Sequence, residues 1–368
     1  MLVSLLASSS LADDSWKNER VMLKETAKPR VGNQSLPWSS VPMPGTVTEV
    51  NGPWLWLGGA WVKEDDVVKL ADAPAYYTTL INRTPNYPAA YVLRGLSWML
   101  KGDYDNALKD TSEAIRLEPS SSLAYMLRGK IHYLLHHWDL AIDDFTESIR
   151  LDSNNLVAYN DRGVSWNAKS EFQKAYDQFN EVLRMNPNNA LAYSNRGANW
   201  YDQQQYEKAL ADMNKAVELD PKFAGAYANR GTALDRTGDY PRALEDYDRA
   251  IKLAPHEWGG YNGWARVLST SPHPQLRDGR KAREMATRAC ELSHWQEWKP
   301  MASLAAAYAE SGDFANAVKW QEQAMKVSQP AKDHDQQENT KRLETYKAGK
   351  AWYAQPAKIE SAEPPAEK

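Results

Sequence analysis

The chain has 368 residues, 25% charged and 42% hydrophobic, with a formal net charge of −4. That size calls for two or more modules, and the charge gives no electrostatic case for nucleic acid. A single cysteine, Cys290, excludes an internal disulfide framework and a cysteine-based zinc site, and no apolar run approaches the length of a membrane span.

Taken in chain order, residues 1–18 begin MLVSLLASSSLADD, where Ser10-Leu11-Ala12 suits signal-peptide cleavage before Asp13, although a positively charged leader is missing. The expectation is a signal remnant and an extracytoplasmic protein, periplasmic or secreted. The alternative is a disordered N-terminal tail on a cytoplasmic one. Residues 19–70 alternate short apolar stretches with turn signals and predict about five short strands: RVMLKE, KPRVGN, GTVTEVNG, PWLWL and AWVKEDDVV. Within them GPWLWLGGAWV, residues 52–62, reads as a hairpin with a Gly58-Gly59 turn. Leu55 and Leu57 share one face, Trp54 and Trp56 the other. Two readings stand for the tryptophans: at least one fills the core or packs against the first helix, or the pair is exposed and stacks a ligand.

From residue 71 the pattern is helical. Arg-Gly recurs every 34 residues at Arg94-Gly95, Arg128-Gly129, Arg162-Gly163, Arg196-Gly197 and Arg230-Gly231, with a tyrosine four residues before each Gly and an alanine twelve after it. Four units close at Pro119, Pro187, Pro221 and Pro255. A fixed period of this length dictates stacked units. The unit, best seen in AYSNRGANWYDQQQYEKALADMNKAVELDP at residues 192–221, resembles the tetratricopeptide repeat (TPR). The resemblance implies an α-solenoid of antiparallel helix pairs. Five such units occupy residues 88–255 and two divergent ones 256–330. Residues 71–87 hold a half-repeat helix whose missing first helix is replaced by the hairpin segment, and residues 331–354 a capping helix that covers the last apolar face. Residues 355–368, charged and containing proline, read as a disordered tail. The N-terminal segment, above all VTEVNGPWLWLGGAWVKEDDVV, resembles a bacterial SH3-like barrel, so the expected fold is mainly α with a small β-barrel in front. The β domain is expected to dock on the half-repeat through part of the tryptophan hairpin.

The chemistry of catalysis is not visible. There is no Gly-rich phosphate loop and no nucleophile–base arrangement, so no catalytic residue, cofactor or metal site is assigned and the chain is read as a non-enzyme. His136-His137 lies in an interhelical turn without a third ligand nearby, His132 replaces a packing aromatic, and Cys290 sits on an alanine-rich helix where a thiol is buried and inert. The polar feature with a mechanism is a ladder. Arg94, Arg128, Arg162, Arg196 and Arg230 share the packing face with Tyr and Gly, and a charge there needs a partner. Sixteen residues on stand Asp110, Asp144, Asp212 and Asp246, with Gln178 in the third unit, so Arg–Asp pairs across each helix interface are expected and the third unit lacks the charged acceptor. The alternative is a basic stripe for an acidic ligand.

What the TPR resemblance implies is a protein–protein scaffold holding a peptide or partner domain in its concave groove. The contact positions lie on the first helix of each unit, off the packing face. There Val92, Leu93, Leu96, Met99, Leu123, Met126 and Leu127 are apolar, while Asn160, Asp161, Asn167, Ser194, Asn195, Asp202, Asn229, Thr232 and Asp235 are polar, which predicts a graded groove unless the apolar end is simply covered by the half-repeat and β domain. Among the early positions only Lys130 is basic, so the arrangement by which some TPR proteins hold a chaperone's C-terminal carboxylate is not supported. The rival reading is a cell-envelope protein whose SH3-like domain recognises a wall polymer and whose solenoid is a spacer.

Overall fold

The structure, a computed structural model, describes residues 16–32, 34–36, 41, 43–327 and 333–357. Most of the expected signal remnant and the tail beyond residue 357 lie outside the described residues. The chain divides into two compact units, residues 1–165 and 166–368.

The first unit begins with short strands in two antiparallel sheets. One, in the order β4-β1-β8, joins Gly45–Thr46, Arg20–Leu23 and Val67–Lys69. The other, in the order β3-β2-β7-β6-β5, joins Gln34–Ser35, Arg30–Val31, Trp61–Lys63, Trp54–Trp56 and Glu49–Asn51. Eight strands stand where five were expected among the described residues. GTVTEVNG is interrupted at Val47-Thr48, and a single 3-10 turn at Glu64–Asp66 divides AWVKEDDVV. Leu55, Leu57, Ala60 and Val62 are fully buried with Val21, Leu23, Val47 and Val67, so the period of two sends the aliphatic face of the hairpin into this small core.

Trp54 and Trp56 are therefore on the other face, half-buried, and the core-filling reading is corrected. Trp56 pairs across the strands with Trp61, ring centroids 5.4 Å apart, and the Arg30 guanidinium lies 3.3 Å from the centre of the Trp54 ring. The aliphatic face suffices to fill a core this small, and the indoles find cations and each other outside it.

The half-repeat helix α1 (Ala73–Arg83) does carry the β domain, through the three-stranded sheet. Met22, Val68 and Leu70 pack with Ala73, Tyr77 and Leu93, and the buried Tyr77 hydroxyl donates to Leu23 O at 2.7 Å. The expected docking through the tryptophan hairpin is thus replaced by docking through β1 and β8, whose apolar side chains the half-repeat covers.

Helix pairs follow at the 34-residue step. In the first unit they are α2 (Pro88–Leu100) with α3 (Tyr104–Leu117) and α4 (Ser122–Leu134) with α5 (Trp138–Leu151), and α6 (Leu156–Ala168) begins in the first unit and ends in the second. The second contains α7 (Phe172–Met185), α8 (Ala190–Asp202) with α9 (Tyr206–Leu219), α10 (Ala224–Thr237) with α11 (Tyr240–Leu253), α12 (Trp258–Thr270) with α13 (Gly279–Leu292), α14 (Trp298–Glu310) with α15 (Phe314–Val327), and α16 (Asp333–Lys347). The recurrent glycine sets the approach within a pair: a Cβ on Gly231 would lie 2.8 Å from the Tyr247 ring and 3.2 Å from Ala243 O. The turn between paired helices demands a left-handed residue, supplied by Gly102 and Gly238 but by His136, Ser170 and Gln204 at the same step.

Residues 351–357, placed at the end of the cap and the start of a disordered tail, form neither helix nor strand but are held by specific contacts in the second unit. Ala354 N–H donates to Thr270 O and Ala357 N–H to Arg236 O, both at 2.8 Å. A short uncharged, proline-containing stretch is here held by carbonyls at helix ends.

Candidate functional site

The arginine ladder is a helix-interface device. Arg94, Arg128, Arg196 and Arg230 each form two hydrogen bonds, between 2.6 and 2.8 Å, to the buried carboxylates of Asp110, Asp144, Asp212 and Asp246. Those bonds hold the four guanidinium groups above the usual arginine range, whereas burial pulls Arg162 below it. A second set of contacts was not read from the sequence. Sixteen residues before each arginine a polar side chain accepts from it: Thr78, Ser112, Thr146, Asn180 and Asn214, at 2.6 to 3.5 Å. The signal was there, in small polar residues repeating every 34 positions. Each guanidinium is spent on helices, so the ladder does not form a free basic stripe.

The candidate contact residues separate by their surroundings. In the first unit Leu123 is exposed, Met126 packs against the Phe145 cluster, Lys130 is exposed with its ammonium 3.9 Å from Asp161, and Asn160 is buried. Val92, Leu93, Met99 and Leu127 are buried in the helix-pair cores and Leu96 packs against them, so the apolar end of the expected graded groove is mostly interior. In the second unit Asn167 donates to Asp202 at 2.7 Å and Asn195 is half-buried. Asn229 donates to the buried Ser194 at 3.1 Å, and Asp235 is buried beside Arg266 at 2.6 Å. Ser194 and Asp235 thus support the groove wall from behind.

Asn229 and Asp202 open onto a cavity of about 340 Å³. First helices of successive pairs line it: Tyr201 from α8, Thr232 and Arg236 from α10, Trp258, Asn262 and Arg266 from α12, Trp298, Lys299 and Ser303 from α14, with Glu338 and Arg342 contributed by α16. Most of these residues come from the divergent repeats and the cap, where no recurring pattern marks them. Arg236 and Arg342 flank Glu338 at 3.6 and 2.5 Å. Against the upward push of burial, Arg342 and then Arg236 hold the Glu338 carboxyl below its usual range. Burial pushes the Asp235 carboxyl up, and Arg266 opposes that push. Buried ion pairs of this kind orient polar groups at little net gain in stability. Two indoles, amide and hydroxyl groups and paired charges make a surface for hydrogen bonding and stacking rather than for covalent chemistry. Among the described residues no group of His, Cys, Asp and Glu could hold a metal ion, and burial pushes the Cys290 thiol up to about 12. No described helix is long and apolar enough to cross a membrane.

Family models described as tetratricopeptide repeat match residues 69–122, 101–155, 224–257 and 301–329, and one described as TPR repeat matches 200–238. No curated protein matches the sequence. Among solved structures, yeast Tom70 is 17% identical, covering 76% of this chain and 59% of its own, with a TM-score of 0.52. The APC/C hetero-tetramer Cut9–Hcn1 is 14% identical, covering 74% and 46%, with a TM-score of 0.50. The chain thus spans little more than half the length of the first and less than half of the second, and at these identities the likeness shows the fold. Tetratricopeptide repeats bind protein partners, and the fold is characteristically a non-enzymatic scaffold. With its helix pairs in a 34-residue register and the family matches falling on them, the chain is a tetratricopeptide-repeat protein.

Proposed function

We propose that the chain is an interaction scaffold whose second unit holds a segment of a partner protein in the cavity lined by α8, α10, α12, α14 and α16. The observation that carries this is the convergence of side chains from four first helices and the cap on one open, polar cavity flanked by Trp258 and Trp298. A segment laid along it meets amide hydrogen-bonding groups at Asn229 and Asn262 and indole surfaces for its side chains. Affinity purification of the full chain, followed by binding measurements on each recovered partner, tests it. Asn262→Arg, which fills the cavity, is expected to weaken the true partner at least about tenfold, a loss of roughly 1.4 kcal/mol, with helical circular dichroism unchanged. Equal binding by the variant places the contact elsewhere.

A second reading attaches to the β domain. Trp54, Trp56 and Trp61 are only half-buried, outside its core, with Arg30 and Lys63 against Trp54. That face is suited to stacking on a polymer such as a cell-wall glycan. Retention on purified wall material by the wild type, lost in Trp56→Ala, is the expected result; equal retention removes this reading.

A further inference from the structure

The segment after α16 follows the solenoid in a regular way. Its two backbone donors, Ala354 and Ala357, are three residues apart, and their acceptors, Thr270 and Arg236, are 34 residues apart, which is one repeat. Both acceptors lie at the C-terminal ends of first helices, α12 and α10, where carbonyls lack partners within the helix. Three residues of polyproline-II chain advance about 9 Å and return to the same face, close to the roughly 8–10 Å between packed helices. The exposures agree: Ala354 and Ala357 are half-buried, Gln355 and Pro356 exposed. Pro356 lies against Gly238, 3.3 Å from where a Cβ would stand. Upstream, Arg342 lies 4.3 Å from the centre of the Trp352 ring and Arg277 4.1 Å from that of Tyr353.

We propose that this rim is a main-chain docking track, three residues of ligand to one repeat, and that residues 351–357 are its resident occupant in competition with a partner's segment of the same chemistry. That segment carries two aromatic residues followed by small residues whose N–H groups are free at every third position, with proline tolerated between them. The proposal rests on the reading that the second unit binds a partner segment, and adds where the backbone of that segment runs and what holds it closed beforehand.

The test uses the full chain and a fluorescein-labelled peptide of the sequence KAWYAQPA, residues 350–357. In one variant Ala354→Pro and Ala357→Pro remove both backbone donors; in the other Trp352→Ser and Tyr353→Ser remove the stacking, which keeps the test open if the first fails to fold. Either folded variant is expected to bind the peptide about tenfold more tightly than wild type, and a peptide with proline at both donor positions to lose about tenfold, the scale of two backbone hydrogen bonds. Binding by the folded variants no tighter than wild type overturns the proposal, as does equal binding of the proline-bearing peptide. A partner that Asn262→Arg abolishes but that is indifferent to both released variants leaves the cavity reading in place and removes the track.

Discussion

The ladder arginines and those around the cavity differ in where their partners come from. Arg94, Arg128, Arg196 and Arg230 reach carboxylates at a fixed sixteen residues, on the second helix of their own pair. Arg236 instead meets Glu338, and Arg266 meets Asp235 of another repeat, so neither follows the repeat spacing. Charges paired at a constant interval belong to the architecture, being required wherever the unit recurs. Charges paired across irregular intervals occur where the solenoid departs from its own rule, and there the cavity opens.

The comparison breaks first at the ladder. Asp246→Ala leaves Arg230 with one neutral acceptor at a half-buried helix interface and is expected to cost about 3 kcal/mol, read as a lower midpoint in urea; a cost under about 1 kcal/mol makes the pair no more than a surface ion pair. Gly231→Ala drives a methyl against the Tyr247 ring and is expected to cost about 2 kcal/mol; an unchanged midpoint rejects that close approach. Glu338→Gln, by contrast, weakens the hold on Arg236 and Arg342 at the cavity. It is expected to lower stability by only about 1 kcal/mol while changing partner affinity more than any ladder substitution that folds; the reverse order erases the distinction drawn above. Ser170→Gly relieves a left-handed backbone position, φ +61°, and is expected to stabilise by about 1 kcal/mol, checked by thermal melting. The smallest effect concerns Cys290: mass spectrometry after iodoacetamide treatment of the native protein at neutral pH is expected to show it unmodified, since burial keeps its thiol protonated.

The helical register was legible because it is repeated: a tyrosine, a glycine and an alanine at constant spacing mark each pair, and the Arg–Asp offset of sixteen followed from the hairpin geometry. The cavity was not, for the opposite reason. Trp258, Asn262, Ser303 and Arg342 lie where the repeats diverge or in the cap, and no periodicity distinguishes a lining residue from a surface one. Among the candidates, Asn229 reaches the cavity whereas Ser194 and Asp235 stand behind its wall, since burial depends on neighbours from other repeats. The tryptophan hairpin shows the same division. Alternation separated two faces, but only the packed core decides which one is inside.

Every ladder arginine is tied to a position sixteen residues behind, in the preceding repeat, and Arg94, Arg128, Arg196 and Arg230 also to a carboxylate sixteen residues ahead. Both offsets are measured within one period, so removing or duplicating a stretch of 34 residues along the ladder brings each arginine to an equivalent register position, a carboxylate everywhere except at Gln178. A stretch of 33 or 35 severs them at the junction and strands a half-buried guanidinium there. The bonds that stiffen neighbouring repeats thus also act as a length gauge: the scaffold can change how many repeats it carries in whole units at small cost, and is penalised for any fraction of one.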